Sequence, residues 1–174
     1  LAACAGLETF SAAFAIDGPE VPILDGSAAP FCELLQGKLG GGAAGARRVS
    51  GSWRVLRPFE WRSSPGPSRY RLEPAKEGRI ACAICFQRGG IGAQHAGWDV
   101  GDGEAFLREI APARTFGFVD EVQALRSAGL IQGVGEATVA GHEAVCSFAV
   151  VFGDDGPLGE LRFANEPARH KLLD

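Results

Sequence analysis

Short apolar runs separated by turn-forming residues occupy the first part of the chain. Residues 10–16 (FSAAFAI) form an apolar run that ends at Asp17-Gly18-Pro19, which predicts a strand followed by a turn. Pro30 opens the apolar stretch 30–35, which predicts a helix that starts near this proline. Residues 39–46 (LGGGAAGA) show neither the helical nor the strand spacing of apolar residues, so we predict a linker there.

Strand patterns come next. The predicted strands cover residues 52–61, 69–74 and 79–86, and a turn over 63–67 (SSPGP) joins the first two. Because these strands follow one another with short connections, we expect an antiparallel sheet.

Helical patterns dominate the remainder of the chain. The pattern predicts helices over 102–111, stopped by Pro112, and over 118–128, stopped by Gly129. Residues 144–152 predict a last strand, and Asn165 is a candidate cap for a helix from Glu166 to the end. Runs of strands beside runs of helices indicate an α+β layered sandwich rather than a parallel doubly wound sheet.

Composition and charge narrow the possible functions. The chain has 174 residues, of which 46% are hydrophobic and 22% charged, as in an ordinary globular protein. Its net charge of −4 argues against a nucleic-acid or anionic-membrane partner, and we expect no integral membrane segment. The five cysteines are an odd number among mostly apolar neighbours, which is typical of reduced, buried thiols. Methionine is absent, so we expect a fragment.

A metal site is the first candidate for chemistry. His170 and Asp174 stand four apart in the last predicted helix, so both lie on one face and could share a metal ion. The alternative is a solvated helix face, since a catalytic zinc needs three protein ligands. His95 and His142 have no context that nominates either as the third ligand.

Other polar positions carry two interpretations each. Thr115 stands between two predicted helices and could face an anion, although a helix cap is the commoner use of such a residue. Asp17 and Asp25 could form a carboxylate pair, but aspartates in loops more often fix the backbone. Cys82 and Cys85 are unsuited to a zinc ribbon, because residues three apart in a strand face opposite sides.

Three stretches, taken together, resemble one family. They are residues 17–31 (DGPEVPILDGSAAPF), 113–118 (ARTFGF) and 163–174 (FANEPARHKLLD). In this order they closely resemble signatures of the zinc-dependent UDP-3-O-acyl-N-acetylglucosamine deacetylases of lipid A and lipopolysaccharide synthesis. The resemblance runs over nearly the whole chain.

The resemblance implies a fold and a domain organisation. The fold would be two layered β/α sandwich domains, ribosomal protein S5 domain 2-like, with the active site between them. Residues 1–38 would be the end of an incomplete first domain, 39–46 the linker, and 47–174 a second domain truncated at its C-terminus.

The resemblance also assigns roles to particular residues. His170 and Asp174 would be Zn²⁺ ligands, and Thr115 would help to stabilise the oxyanion of amide hydrolysis. Lys171, Phe116 and Phe86 would lie along the site of an acylated UDP-glucosamine substrate.

Some positions depart from the family pattern. Residues 87–89 (QRG) replace a His-Pro, and residues 133–146 are longer and altered. The third zinc ligand and the general base would precede Leu1, and the general acid would follow Asp174, so we expect the chain alone to be inactive. The alternative is a non-catalytic homologue that binds an acylated nucleotide sugar. We expect a monomer in the cytoplasm, or in an organelle of a plant or alga.

Overall fold

A computed structural model describes residues 1–10, 12–39, 54–131 and 148–174 of the chain. Within these ranges, helices are combined with three two-stranded sheets, a mixture compatible with the predicted α+β class. Residues 40–46 of the predicted linker, residues 52–53 of the strand predicted at 52–61, residues 144–147 of the predicted last strand, His142 and the whole of the altered stretch 133–146 lie outside the described residues.

Along the described ranges, two helices precede four strands, after which helices and strands alternate. The helices are α1 (Ala2–Gly6), α2 (Ala29–Leu39), α3 (Gly103–Ala105) with a π-helical segment (Phe106–Ile110), α4 (Val119–Ser127) and α5 (Glu166–Leu173). The strands are β1 (Phe59–Arg62), β2 (Arg69–Leu72), β3 (Arg79–Phe86), β4 (Gly92–Asp99), β5 (Phe116–Phe118) and β6 (Val150–Phe152). None of the helices in the described part of the chain is both long enough and apolar enough to cross a membrane.

The predicted helices form close to their expected bounds. Pro30 is the second residue of α2, where its missing N–H costs no intrahelical hydrogen bond. The Asp102 carboxylate accepts a hydrogen bond from the Ala105 N–H at 2.9 Å and so caps α3. Gly129 follows α4 with φ +68°, a conformation that glycine adopts without strain.

β1 and β2 pair antiparallel as predicted, but among the described strands β3 does not join them and pairs instead with β4, which the sequence does not predict. β1 pairs with β2, and β3 pairs with β4 over its full length. β5 and β6 pair in parallel, with Gly117 opposite Val151. The sequence predicts no parallel pair. β1 is also shorter than predicted, because residues 54–58 are not in a strand.

Two predictions about local structure are wrong. Residues 12–16 form no strand, since no described strand pairs with them, and Phe14 remains 60% exposed. Asn165 precedes α5 but its side chain does not cap the helix. Its Nδ2 instead donates to the His95 carbonyl oxygen at 2.9 Å, and its Oδ1 accepts from Arg169 Nε at 2.8 Å.

One hydrophobic cluster joins the beginning of the chain to its later part. Cys32 of α2 packs with Phe106 and Ile110 of the π-helical segment, and Leu172 and Leu173 of α5 pack against this cluster. A second cluster forms around Phe118, Val150 and Phe152. The first cluster therefore holds α5 against the segment that precedes β5.

The described cysteines are free thiols, in agreement with the expected reduced state. Cys32 is buried, whereas Cys4 and Cys82 are half-buried and Cys85 is exposed. The expectation that the thiols are mostly buried is therefore wrong for Cys85. Cys85 is the next-to-last residue of β3 and lies opposite Ala93 of β4.

Candidate functional site

α5 presents His170 on the side that faces the rest of the molecule. The His170 side chain is only 14% exposed, and its Nδ1 lies 3.1 Å from the carbonyl oxygen of Ala113. A carbonyl oxygen can only accept, so Nδ1 carries the hydrogen. In the neutral imidazole, Nε2 is then the nitrogen with a free lone pair, and it lies 3.8 Å from Oδ1 of Asp174.

The last turn of α5 brings a lysine and a carboxylate together. Lys171 Nζ donates to Asp174 Oδ2 at 2.6 Å, while Oδ1 of the same carboxylate faces His170. Both side chains are about half exposed, so this ion pair adds little to folding stability. Asp174 thus lies between an imidazole and an ammonium group on one solvent-accessible helix end.

Aromatic side chains line the same place. Lys171 Nζ lies 5.7 Å from the centroid of the Phe116 ring, within the range of a cation–π contact. The Phe116 and Phe86 rings meet edge to face, with centroids 5.6 Å apart. Both rings are half-buried, so they form an apolar wall beside the charged end of α5.

Thr115 is held by backbone hydrogen bonds on both sides. Its N–H donates to the Gly26 carbonyl oxygen at 2.7 Å, and its carbonyl oxygen accepts from the Val150 N–H at 2.8 Å. Gly26 has φ +79°, and a Cβ there would collide with the Phe148 carbonyl oxygen. The structure thus places Thr115 beside Phe116 and two residues from Ala113, the hydrogen-bond partner of His170. It does not cap a helix.

The donor set at α5 fits zinc as a partial site. A neutral imidazole oriented by a hydrogen bond from its other nitrogen, next to a carboxylate, is a common pair of zinc ligands. Within the described ranges, no group of three or more His, Cys, Asp or Glu side chains is placed to hold a metal ion. His170 and Asp174 would therefore supply two donors of a larger set.

The structure also shows a buried carboxylate that the sequence patterns did not single out. Glu166 is fully buried, and its Oε1 accepts from both N and Nε of Arg114 at 2.9 Å. Its Oε2 accepts from Arg114 Nη2 at 3.2 Å and from the Arg162 N–H at 2.7 Å. Burial would raise the pKa of Glu166, but the hydrogen bonds from Arg114 and Arg162 outweigh it and lower the pKa below its ordinary value.

A second carboxylate extends this network to the loop before α2. Asp25 Oδ1 accepts from the Ser27 N–H at 3.0 Å, which confirms its interpretation as a loop-fixing residue. Its Oδ2 lies 3.0 Å from Arg162 Nη2, so Asp25 also ties the loop to Arg162. The sequence does not predict that Asp25 and Glu166 both bond Arg162, since Asp25 is far from the other two along the chain.

Comparison with known proteins finds one family that matches the whole chain. The family model of UDP-3-O-acyl N-acetylglycosamine deacetylase matches residues 1–174. A UDP-3-O-acyl-N-acetylglucosamine deacetylase of Syntrophotalea carbinolica is 41% identical over 161 residues, which cover 91% of this chain and 47% of that protein.

Further relatives carry the same name. The deacetylase of Myxococcus xanthus is 39% identical over 100% of this chain and 51% of its own length. That of a Nostoc species is 36% identical over 100% of this chain and 59% of its own length. The chain thus spans about half the length of the curated relatives it matches.

Proposed function

Because the chain belongs to the UDP-3-O-acyl-N-acetylglucosamine deacetylase family, we propose that the protein containing it hydrolyses the N-acetyl group of UDP-3-O-acyl-N-acetylglucosamine. Acetate and a free glucosamine amine are the products, and the reaction serves lipid A biosynthesis. The protein acts as a monomer in the cytoplasm.

One observation supports this proposal most directly. The Nδ1 hydrogen of His170 is bound to the Ala113 carbonyl oxygen, which leaves Nε2 beside the Asp174 carboxylate. This is the tautomer that a zinc ligand needs. A solvated helix face, the other interpretation of this spacing, does not require a His170 side chain that is only 14% exposed.

The remaining site residues have separate roles. His170 and Asp174, together with further donors, would hold a zinc ion that would supply Lewis-acid chemistry to amide hydrolysis. The Thr115 hydroxyl donates a hydrogen bond to the oxyanion that forms at the acetyl carbon. Lys171 holds substrate through its ammonium group, and Phe116 and Phe86 contact the apolar parts of the substrate.

The site lies between two layered β/α sandwich domains. Residues 1–38 belong to the first and residues 47–174 to the second. Support comes from the hydrogen bond between Thr115 N–H and the Gly26 carbonyl oxygen, which joins residues assigned to different domains. A site at this junction would be lined from both sides, as substrate sites between domains commonly are.

The test uses the whole protein that contains this chain. We expect one zinc ion per molecule and release of acetate from the acylated UDP-sugar, with both lost in His170→Ala and Asp174→Ala. His95→Ala is the matched control, because His95 is exposed on β4, and it should keep both properties. A wild-type protein that binds no zinc and releases no acetate would refute the catalytic proposal and favour a non-catalytic binding protein.

A further inference from the structure

α5 contacts the segment before β5 at two points that lie one helical turn apart. Glu166, in the first turn, binds both the backbone and the side chain of Arg114. His170, four residues later, binds the carbonyl oxygen of Ala113. Residues four apart share a helix face, so a single face of α5 holds two consecutive residues of the neighbouring segment.

The contact at Glu166 is much stronger than the contact at His170. The Glu166 side chain is fully buried and accepts four hydrogen bonds, three of them from Arg114. Arg114 Nη2 also donates to the Glu160 carbonyl oxygen at 2.8 Å, so the guanidinium cannot rotate freely. Bidentate carboxylate–guanidinium pairs have a fixed geometry. The single 3.1 Å contact of His170 has no such reinforcement.

Thr115 is fixed independently of α5. Its backbone is bound to Gly26 on one side and to Val150 on the other. The position of His170 relative to Thr115 therefore depends in part on how α5 is attached to residues 113 and 114, and in part on the packing of Leu172 and Leu173. Asp25 and Arg162 join this attachment from the loop before α2, because Arg162 donates its N–H to Glu166 and its guanidinium to Asp25.

We propose that Glu166 and Arg114 are positioning residues, whose buried ion pair sets the zinc-binding His170 against the oxyanion-binding Thr115. This inference rests on the function proposed above for His170 and Thr115. Neither Glu166 nor Arg114 contacts substrate in this role. They affect the reaction only through the spacing between the metal ligand His170 and the oxyanion-binding Thr115.

The first experiment measures the position of His170 without zinc or turnover. In the metal-free whole protein with ¹⁵N-labelled histidine, the His170 Nδ1–H of the wild type should exchange slowly with solvent, because it is half-buried and hydrogen-bonded. In Glu166→Gln the amide places an N–H against the donors of Arg114 or Arg162, so α5 shifts. We expect exchange of the His170 Nδ1–H to accelerate by roughly tenfold or more.

The second experiment measures catalysis by the same protein. We expect Glu166→Gln to lower kcat by roughly 10-fold to 100-fold with KM nearly unchanged, since a small displacement of a catalytic group costs about this much. Arg114→Gln should have the same effect. The double variant should be no worse than either single one, because both remove one interaction.

A stability-matched control separates positioning from folding. Cys32→Ala truncates a buried side chain in the first hydrophobic cluster, which contains neither Glu166 nor Arg114. It should lower the melting temperature while kcat and the His170 exchange rate stay at wild-type values. Arg114→Lys, which keeps the charge but loses the fork, should fall between the wild type and Arg114→Gln in kcat.

The outcomes of the two experiments are distinguishable. If folded Glu166→Gln keeps the wild-type exchange rate at His170, the inference is wrong, whatever the enzyme does. If exchange accelerates but the wild-type protein binds no zinc, the positioning role stands and the proposed function fails. If the fall in kcat merely tracks the fall in melting temperature, as for Cys32→Ala, the ion pair is structural only and the inference is overturned.

Discussion

At the scale of single residues, one hydrogen on His170 decides what the site can bind. A neutral imidazole carries its hydrogen on one nitrogen only, and here the Ala113 carbonyl oxygen holds it on Nδ1. Nε2 therefore keeps its lone pair, 3.8 Å from Oδ1 of Asp174, and a metal ion could bind both atoms. A carbonyl group two residues before Thr115 thus selects the tautomer at the candidate zinc site.

Thr115→Val tests the hydroxyl without changing the size of the side chain. If this hydroxyl donates to the oxyanion, kcat should fall by roughly 100-fold, while zinc stoichiometry stays at one. The backbone bonds of Thr115 to Gly26 and Val150 do not involve the hydroxyl, so the fold should be retained. Steady-state kinetics of the whole protein check this.

Thr115→Ser is the control for that experiment. It keeps a hydroxyl on Cβ and should retain most of the wild-type kcat. Equal losses in the serine and valine variants would mean that the methyl group, and not the hydroxyl, matters at this position.

Acid stability tests the charge on Glu166. Its pKa in the folded protein lies below the 4.5 of a free glutamate, since the hydrogen bonds from Arg114 and Arg162 outweigh burial. The carboxylate therefore stabilises the fold above pH 4.5, and this contribution is lost as the pH falls through the lowered pKa. We expect the stability difference between wild type and Glu166→Gln to shrink on acidification.

Denaturant titrations at several pH values measure that difference. Glu60→Gln, on the exposed strand β1, is the matched control, and its stability should run parallel to that of the wild type. A difference for Glu166→Gln that stays constant down to the lowest pH would contradict the assigned charge.

At the scale of elements, the sequence predicts those with a clear period and misses those without one. β3 has the predicted bounds because its residues alternate around isoleucine and cysteine, and α4 has a helical face and a terminating glycine. β4 (GAQHAGWD) was missed since it contains two glycines and two alanines and few typical strand residues. It is a strand because β3 supplies a partner along its full length.

The candidate site shows the same limit. Spacing within α5 placed His170 and Asp174 on one face, which the structure agrees with. The burial of Glu166 could not be predicted, because Arg114 is 52 positions away in the chain. Only tertiary structure pairs these two residues, and a glutamate in the first turn of a helix otherwise suggests an exposed position.

Gly26 tests how the loop before α2 attaches to Thr115. Gly26→Ala should destabilise the protein by at least about 1–3 kcal/mol, because φ +79° strains an alanine and its Cβ would meet the Phe148 carbonyl oxygen. Thermal unfolding measures this. We expect the variant to lose deacetylase activity too, since the Gly26 carbonyl oxygen holds the Thr115 N–H.

Gly37→Ala is the matched control, for which we expect a gain in stability instead of a loss. Gly37 lies within α2, and a Cβ there would meet nothing within 4 Å. The same substitution should therefore raise stability by roughly 0.5–1 kcal/mol. Destabilisation by both substitutions would show that strain at Gly26 is not the cause.

At the scale of the whole molecule, one hydrophobic cluster crosses the predicted domain boundary. Cys32, from the part before the predicted linker, packs with Phe106 and Ile110 from the part after it. Two backbone hydrogen bonds also join these parts, from Thr115 N–H to the Gly26 carbonyl oxygen and from Ala28 N–H to the Ala111 carbonyl oxygen. We therefore expect the two parts to unfold together.

Thiol labelling measures that coupling. Cys32 is 1% exposed, and burial raises its pKa to about 11, so it should react last and only as the shared cluster opens. Exposed Cys85 should react in the folded protein and serves as the internal control. With peptides identified by mass, labelling of Cys32 at a urea concentration well below the main transition would show that the two parts separate first.

The two contacts of α5 also limit how the length of this protein can vary. Each residue added or removed between Glu166 and His170 would turn the imidazole by about 100° around the helix, away from the Ala113 carbonyl oxygen. The exposed turn between β1 and β2 has no such constraint. A library of single-residue insertions and deletions should therefore recover functional proteins altered at residues 63–68 and none altered at residues 167–169.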